Sequence, residues 1–271
     1  MRVPGHSVFF RSAMRNILAI IEREMRAYFS SPIAYVVLTI FVFLSGVFFR
    51  TILAQVMQMG LISQMQAQQF GPRPMDMPGM ISRGFLSTMS VILLFMIPMI
   101  TMGLFSEEKK RGTIELLLTA PLTDLQVVIG KFFAAGTFFL ILLASTWVPM
   151  SVLYFYGSPA SGPILTAYLG LLLYGLSIIA IGVFISTLTE NQIISAVLSF
   201  GVIMLLWLVD VMASQAESTS KEVLTYLSIL SHLDDFTKGV LATSHIVFYL
   251  SLMLVALFLT YRSIDSLRWR G

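Results

Sequence analysis

The sequence predicts an all-α integral membrane protein: an amphipathic N-terminal helix followed by six spanning helices. Three observations predict it. Mean hydropathy is +0.87; only 11% of the 271 residues are charged, against roughly 25% in a soluble domain. Six stretches of 17–25 mostly apolar residues punctuate the chain, and a spanning helix needs about 20. Inside lipid each backbone polar group must be satisfied within its own segment, which leaves helix as the state for all six. The chain has no cysteine, so a disulfide framework, a thiolate metal site and a cysteine nucleophile are excluded.

The chain opens with Arg2, Arg11 and Arg15, which lead into no apolar run with a small-residue cleavage site. The first span is therefore expected to direct insertion itself. Over residues 14–31, Met14, Ile17, Leu18, Ile21, Met25, Tyr28 and Phe29 fall on one helical face, and Arg15, Asn16, Glu22, Arg23 and Arg26 on the other. Such a helix suits the membrane interface, its apolar side in the acyl boundary and its arginines at anionic headgroups. A cytosolic helix packed on protein is the plainer alternative; the interfacial reading is preferred because Pro32 and the first span follow at once. Ser31 before Pro32 supplies a cap and a proline-compatible first turn.

The spans are expected at 33–49, 85–105, 132–155, 164–188, 193–212 and 245–261, all within one membrane domain over 1–271. Pro98 and Pro149 should kink the second and third. The few residues around Glu190 and Asn191 make the fourth and fifth a tight hairpin, and Gln64–Pro78, rich in Gln, Met and Pro, reads as an irregular external loop. With both termini inside, 12 basic residues lie on the cytoplasmic side, against 5 outside (Arg50, Arg73, Arg83, Lys221 and Lys238). That asymmetry favours N-in, C-in.

The stretch 106–131, SEEKKRGTIELLLTAPLTDLQVVIGK, falls between spans two and three. Charges end the second span at Glu107–Arg111, Gly112 permits a turn, and Thr113 can cap a short helix bearing Ile114, Leu116, Leu117 and Leu118. Pro121 stops that helix, and Thr123 with Gln126 forms a capping-box pattern for the next. An apolar helix held outside the bilayer calls for a partner surface; folding back on its own spans is the alternative.

This stretch also resembles the signature of ABC-2 type permeases: an acidic residue, then Gly-Thr-Leu-Glu-Leu-Leu-Leu, then a small residue before Pro. Glu108, Gly112, Thr113, Glu115, Leu116, Leu117, Leu118 and Pro121 match, with Ile114 replacing leucine. Within that family the segments EREMRAYFSSP (22–32) and SILSHLDDFTKGV (228–240) are most similar to the gliding-motility-associated (GldF-like) branch. The resemblance implies an ABC-2 (type V exporter-like) permease fold in the bacterial cytoplasmic membrane, both termini inside. It implies that 106–131 is a coupling loop seated on a separate ATP-binding subunit, through Glu108, Arg111, Gly112, Thr113, Ile114, Glu115, Leu116, Leu117 and Pro121. The elbow residues Glu22, Arg23 and Arg26 would flank the same subunit. Partners implied are two copies of that ATPase, a second permease subunit (homo- or heterodimer), and an accessory protein on the periplasmic side or anchored in the membrane. Nucleic acid is not among them. This chain would bind no cofactor, since ATP and Mg2+ sit on the partner.

Between the last two spans, Val223, Leu224, Leu227 and Leu230 share a helical face, and Ser231 with Asp234 resembles a capping box. External helices at this place in the family help close the outer end of the pathway, which makes His232, Asp234, Asp235 and Phe236 gate candidates. One histidine beside two carboxylates is a poor metal signature, and helix capping is the preferred reading. Met75, Met77 and Met80 are soft ligands of the kind that suits Cu(I); adaptable packing by methionine is the alternative, and the preferred one.

Other function classes fit less well. The chain has no G-x-x-x-x-G-K-[ST] loop and no H-E-x-x-H, which excludes phosphate-loop ATP hydrolysis and a zincin site in this chain. Ion-coupled carriers place ionisable residues within their spans; the expected span centres have none, and Glu190, Asp210 and His245 fall at ends. An ion-independent carrier or channel and a non-transporting scaffold stay open as alternatives to a non-catalytic permease subunit.

Overall fold

The computed structural model describes residues 6–71, 75–114, 122–215 and 218–268, and every regular element within them is helical. In chain order these are α1 (His6–Ser30), α2 (Pro32–Phe70), α3 (Met77–Thr101), α4 (Ser106–Lys110), α5 (Asp124–Ser145) and α6 (Trp147–Tyr156). They are followed by α7 (Ser161–Ser186), α8 (Gln192–Gln215), α9 (Ser218–Leu227), α10 (Ser231–Thr237) and α11 (Thr243–Arg268). Among the described residues, six segments are long and apolar enough to cross a membrane: α2, α3 with α4, α5 with α6, α7, α8 and α11.

α7 is the axis of the bundle, in contact with α3, α5, α8, α10 and α11. Helices in lipid gain little from hydrophobic association and rely on close packing and polar contacts. Gly182 illustrates the first, because a Cβ there would overlap the Thr101 side chain of α3. Tyr174 and Ser177 illustrate the second. The Tyr174 hydroxyl donates to the Ser90 carbonyl of α3 (3.1 Å), and Ser177 donates to the Tyr249 carbonyl of α11 (3.2 Å). α3, α5 and α7 are mostly enclosed by protein, whereas α2, α8 and α11 leave most of their apolar length uncovered.

The two ends of α7, about 39 Å apart at 1.5 Å per residue, define the ends of the molecule. At its C-terminal end Lys109 donates to the Thr187 carbonyl and Thr187 donates to Ser263 (2.9 Å), gathering α4, α7 and the end of α11. At its N-terminal end Thr166 donates to the Phe236 carbonyl of α10 (3.0 Å).

Several expectations are corrected. Most of Gln64–Pro78 is helical: α2 continues to Phe70 and α3 begins at Met77. Gln, Met, Ala and Leu are strong helix formers outside lipid as well as in it, and Pro78 falls in the first turn of α3, where proline is tolerated. At 39 residues α2 is about 58 Å long, roughly twice the hydrocarbon thickness. The third span is interrupted at Thr146, one turn before Pro149, as expected of a proline that has no N–H for the Ser145 carbonyl. Ser231 and Asp234 form no capping box; Ser231 donates instead to the Asp210 carboxylate (2.7 Å).

Candidate coupling site

The start of α5 is set locally. The Thr123 hydroxyl accepts from the Gln126 amide (3.3 Å), and the Gln126 side chain accepts from the Thr123 amide (3.3 Å), the reciprocal pairing of a capping box. The helix therefore begins at Asp124, and Lys131 falls two turns inside it, only 1% exposed. α1 lies along α5: Asn16 donates to Gln126 (3.3 Å), Ile20 covers Gly130, and the Tyr28 ring stacks on Phe138 at 5.3 Å. The Tyr28 hydroxyl also donates to the Ile100 carbonyl of α3 (2.8 Å). This packing brings Glu24 of α1 onto Lys131.

Lys131 Nζ lies 3.0 Å from Glu24 Oε1 and 3.0 Å from Glu108 Oε1, and donates to the Leu104 carbonyl. Two hydrogen bonds, to Glu24 and the Leu104 carbonyl, and the ion pair with Glu108 surround the ammonium, and the Phe105 ring lies beneath the nitrogen at 5.0 Å. Arg23 binds both carboxylates, with Nη2 2.7 Å from Glu108 Oε1. Two cations and two carboxylates thus join α1, α4 and α5 in a group of zero net charge. Burial works to raise the Glu24 pKa, but Lys131 and Arg23 together outweigh it and hold the carboxyl below its ordinary range. The second oxygen of Glu108 is buried without a hydrogen-bond partner.

α4 ends in a defined stop. Gly112 adopts φ +66°, a conformation open to glycine. Its amide donates to the Lys109 carbonyl (3.1 Å) and the Thr113 amide to the Glu108 carbonyl (3.0 Å), the paired bonds of a Schellman stop. The chain turns there; Thr113 is exposed and Ile114 half-buried. Glu115, Leu116, Leu117 and Pro121 lie outside the described residues. The Thr113 hydroxyl bonds back to the Glu108 carbonyl (3.3 Å).

A family-wide profile described as ABC-2 family transporter protein matches residues 18–265. The chain belongs to the ABC-2 transporter family. The probable multidrug ABC transporter permease YbhR of Escherichia coli K12 is 28% identical over 137 residues. The protein of the same name in Escherichia coli O157:H7 matches equally. That match covers 50% of this chain and 37% of the relative.

In this ABC-2 protein the structure brings together some of the residues singled out from sequence and separates others. Glu108 and Arg23 meet at Lys131; Arg26 pairs with Glu22 on the exposed side of α1, and Arg111, just after α4, with Glu107 one turn before it. Glu24 and Lys131 were not singled out. Glu24 lies within the same short segment as Glu22 and Arg23, so only its facing distinguishes it. Lys131 reads from sequence as a charge at a span edge. At the other end of the bundle His232 and Phe236 are buried, Asp235 is half-buried and Asp234 exposed. Met77 packs on Gly60 of α2, while Met75 and Met80 are exposed. Asp76 caps α3 through the Gly79 amide (3.0 Å).

Proposed function

We propose that the chain is the membrane subunit of an ATP-driven ABC-2 exporter, moved by an ATP-binding partner that grips the segment between α4 and α5. One observation supports this most directly: the stub of that segment is tied by Glu108 to a buried lysine in α5 and to α1. Force reaching α4 would pass through Glu108 to α1 and α5. Glu108, Arg111, Gly112, Thr113, Ile114, Glu115, Leu116, Leu117 and Pro121 are the proposed contacts, flanked by Glu22, Arg23 and Arg26. ATP and Mg2+ would be held by the partner, in two copies.

The orientation proposed is both termini in the cytoplasm of a bacterial inner membrane, because Arg23, Arg26, Lys109, Lys110, Arg111, Lys131 and Arg262 gather at the end where α4 lies. The exposed side of α1, which includes Met14 and Leu18, would lie on the inner leaflet as an elbow. A second permease subunit, identical or related, would cover part of the apolar surface left open on α2, α8 and α11. Alternating access would follow from closure of the paired ATPases and re-packing of the spans. The finer likeness to the gliding-motility branch rests on residues 22–32 and 228–240 alone, and the matched relatives bear a multidrug name; the substrate class is left at that.

The test is co-purification with the ATPase encoded beside the chain. Stable association, lost with Leu116→Asp or Glu115→Arg, is the expected result. A chain that binds no ATPase would instead be a carrier, channel or scaffold.

A further inference from the structure

At the end of the bundle remote from Lys131, two histidines meet. His232 Nδ1 and His245 Nδ1 face each other at 2.6 Å. The outward nitrogens are both engaged: His232 Nε2 lies 3.0 Å from the Tyr226 carbonyl oxygen, and His245 Nε2 lies 2.9 Å from Asp235 Oδ2. A carbonyl oxygen and an ionised carboxylate accept hydrogen bonds and donate none, so each outward nitrogen must hold a proton. The central contact requires one more. Three contacts need three protons, and two neutral imidazoles supply two.

We propose that His232, His245 and Asp235 form a proton-binding site, holding one proton beyond two neutral imidazoles between the facing Nδ1 atoms and balanced by the Asp235 carboxylate. The site fastens α10 to the start of α11 and, through the Tyr226 carbonyl, to the end of α9. Removing the proton sets lone pair against lone pair, or leaves a bare nitrogen at the carboxylate. Adding another sets N–H against N–H and places two positive rings in contact. The fastening therefore exists within a pH window bounded on both sides.

The surroundings suit this role. The His232 ring stacks on Phe248 at 4.0 Å, with Tyr226 and Tyr249 edge-on. A cavity of about 600 Å³ lined by Tyr226, Ser231, Asp235 and Ser244 reaches the pair and admits water-borne protons. The charged and titratable neighbours are Asp234 on α10 and Lys238 just after it, Lys221 and Tyr226 on α9, Tyr249 on α11, and Asp210 on α8 behind Ser231. Lys238 is taken up by Asp234 and stands 3.6 Å from Asp235 Oδ1, so the second oxygen of Asp235 is left to His245. Asp210 accepts from Ser228 (2.6 Å) and Ser231 (2.7 Å). Burial holds the His232 pKa below the ordinary imidazole range.

The chain has three histidines, so His6→Gln leaves only this pair. The full chain, labelled with 15N-histidine and held in lipid nanodiscs with a metal chelator, allows the protons to be counted by NMR. Expected near neutral pH are three protonated ring nitrogens of four and a scalar coupling between the two Nδ1 atoms, both lost in acid and in alkali. Asp235→Asn keeps an acceptor but removes the balancing charge, and should lower the alkaline limit by about one pH unit or more. Two protonated nitrogens at neutral pH, or no coupling at any pH, overturns the proposal. No ATPase is present in this measurement, so its result is independent of the permease reading.

Discussion

Lys131→Met removes one cation from between two carboxylates while preserving side-chain length. The lysine is 1% exposed and lies 3.0 Å from both Glu24 and Glu108. Breaking a buried ion pair by deleting one partner costs about 3–5 kcal/mol, because the remaining charge is left uncompensated. Here Arg23 stays bound to both carboxylates from a half-exposed position, which places the expected cost near the lower bound, about 3 kcal/mol. At roughly 2–4 °C per kcal/mol for a chain of this size, thermal unfolding in detergent should fall by about 6–12 °C. Arg23→Met touches the same carboxylates through solvent-exposed contacts and should cost about 1 kcal/mol or less. Adding Glu24→Gln to Lys131→Met removes the stranded charge and should recover part of the loss. The reasoning is refuted if Lys131→Met melts within 1 °C of the parent, or if Arg23→Met is the more damaging of the two.

Two further outcomes follow from the same packing. Gly182→Ala places a methyl group into Thr101 of α3 and should cost about 1–3 kcal/mol as the helices part; Thr101→Ala in the same chain should return some of it, and a melt unchanged by Gly182→Ala would show that α3 and α7 do not meet there. Glu24 has a depressed folded-state pKa, so its contribution is present above its unfolded value of about 4.3 and is lost as pH falls through the lower folded value. Acid melts of the parent and of Glu24→Gln should converge below that range and separate above it, and parallel curves at every pH would contradict the assignment.

The spans were legible because hydropathy sums over about 20 residues, so errors at single positions cancel. Local stops were legible too: Gly112 as a turn, Thr123 and Gln126 as a box, and Ser31 before Pro32, whose hydroxyl accepts from the Ile33 amide at 3.3 Å. What failed to show depended on partners distant in sequence. Lys131 and Glu24 are 107 residues apart, and the lysine looked like a topological charge because the third span was expected to begin at residue 132 and not at Asp124. Ser231 and Asp234 have the spacing of a capping box, yet Asp210, 21 residues upstream, took the hydroxyl. His232 was weighed as a lone histidine beside two carboxylates and His245 as a residue at a span end, and only the fold brings their rings together. The α2 extension was missed for the opposite reason, since a change in hydropathy there was taken for a change in secondary structure.

The central claim is that the turn after α4 points into the cytoplasm and receives the ATPase. Thr113 is exposed and the chain has no native cysteine, so Thr113→Cys gives a single labelling position. A membrane-impermeant maleimide should react with it in inside-out vesicles, fail to react in right-side-out cells, and be blocked when the ATPase is bound. Reaction from the outer face would contradict the account.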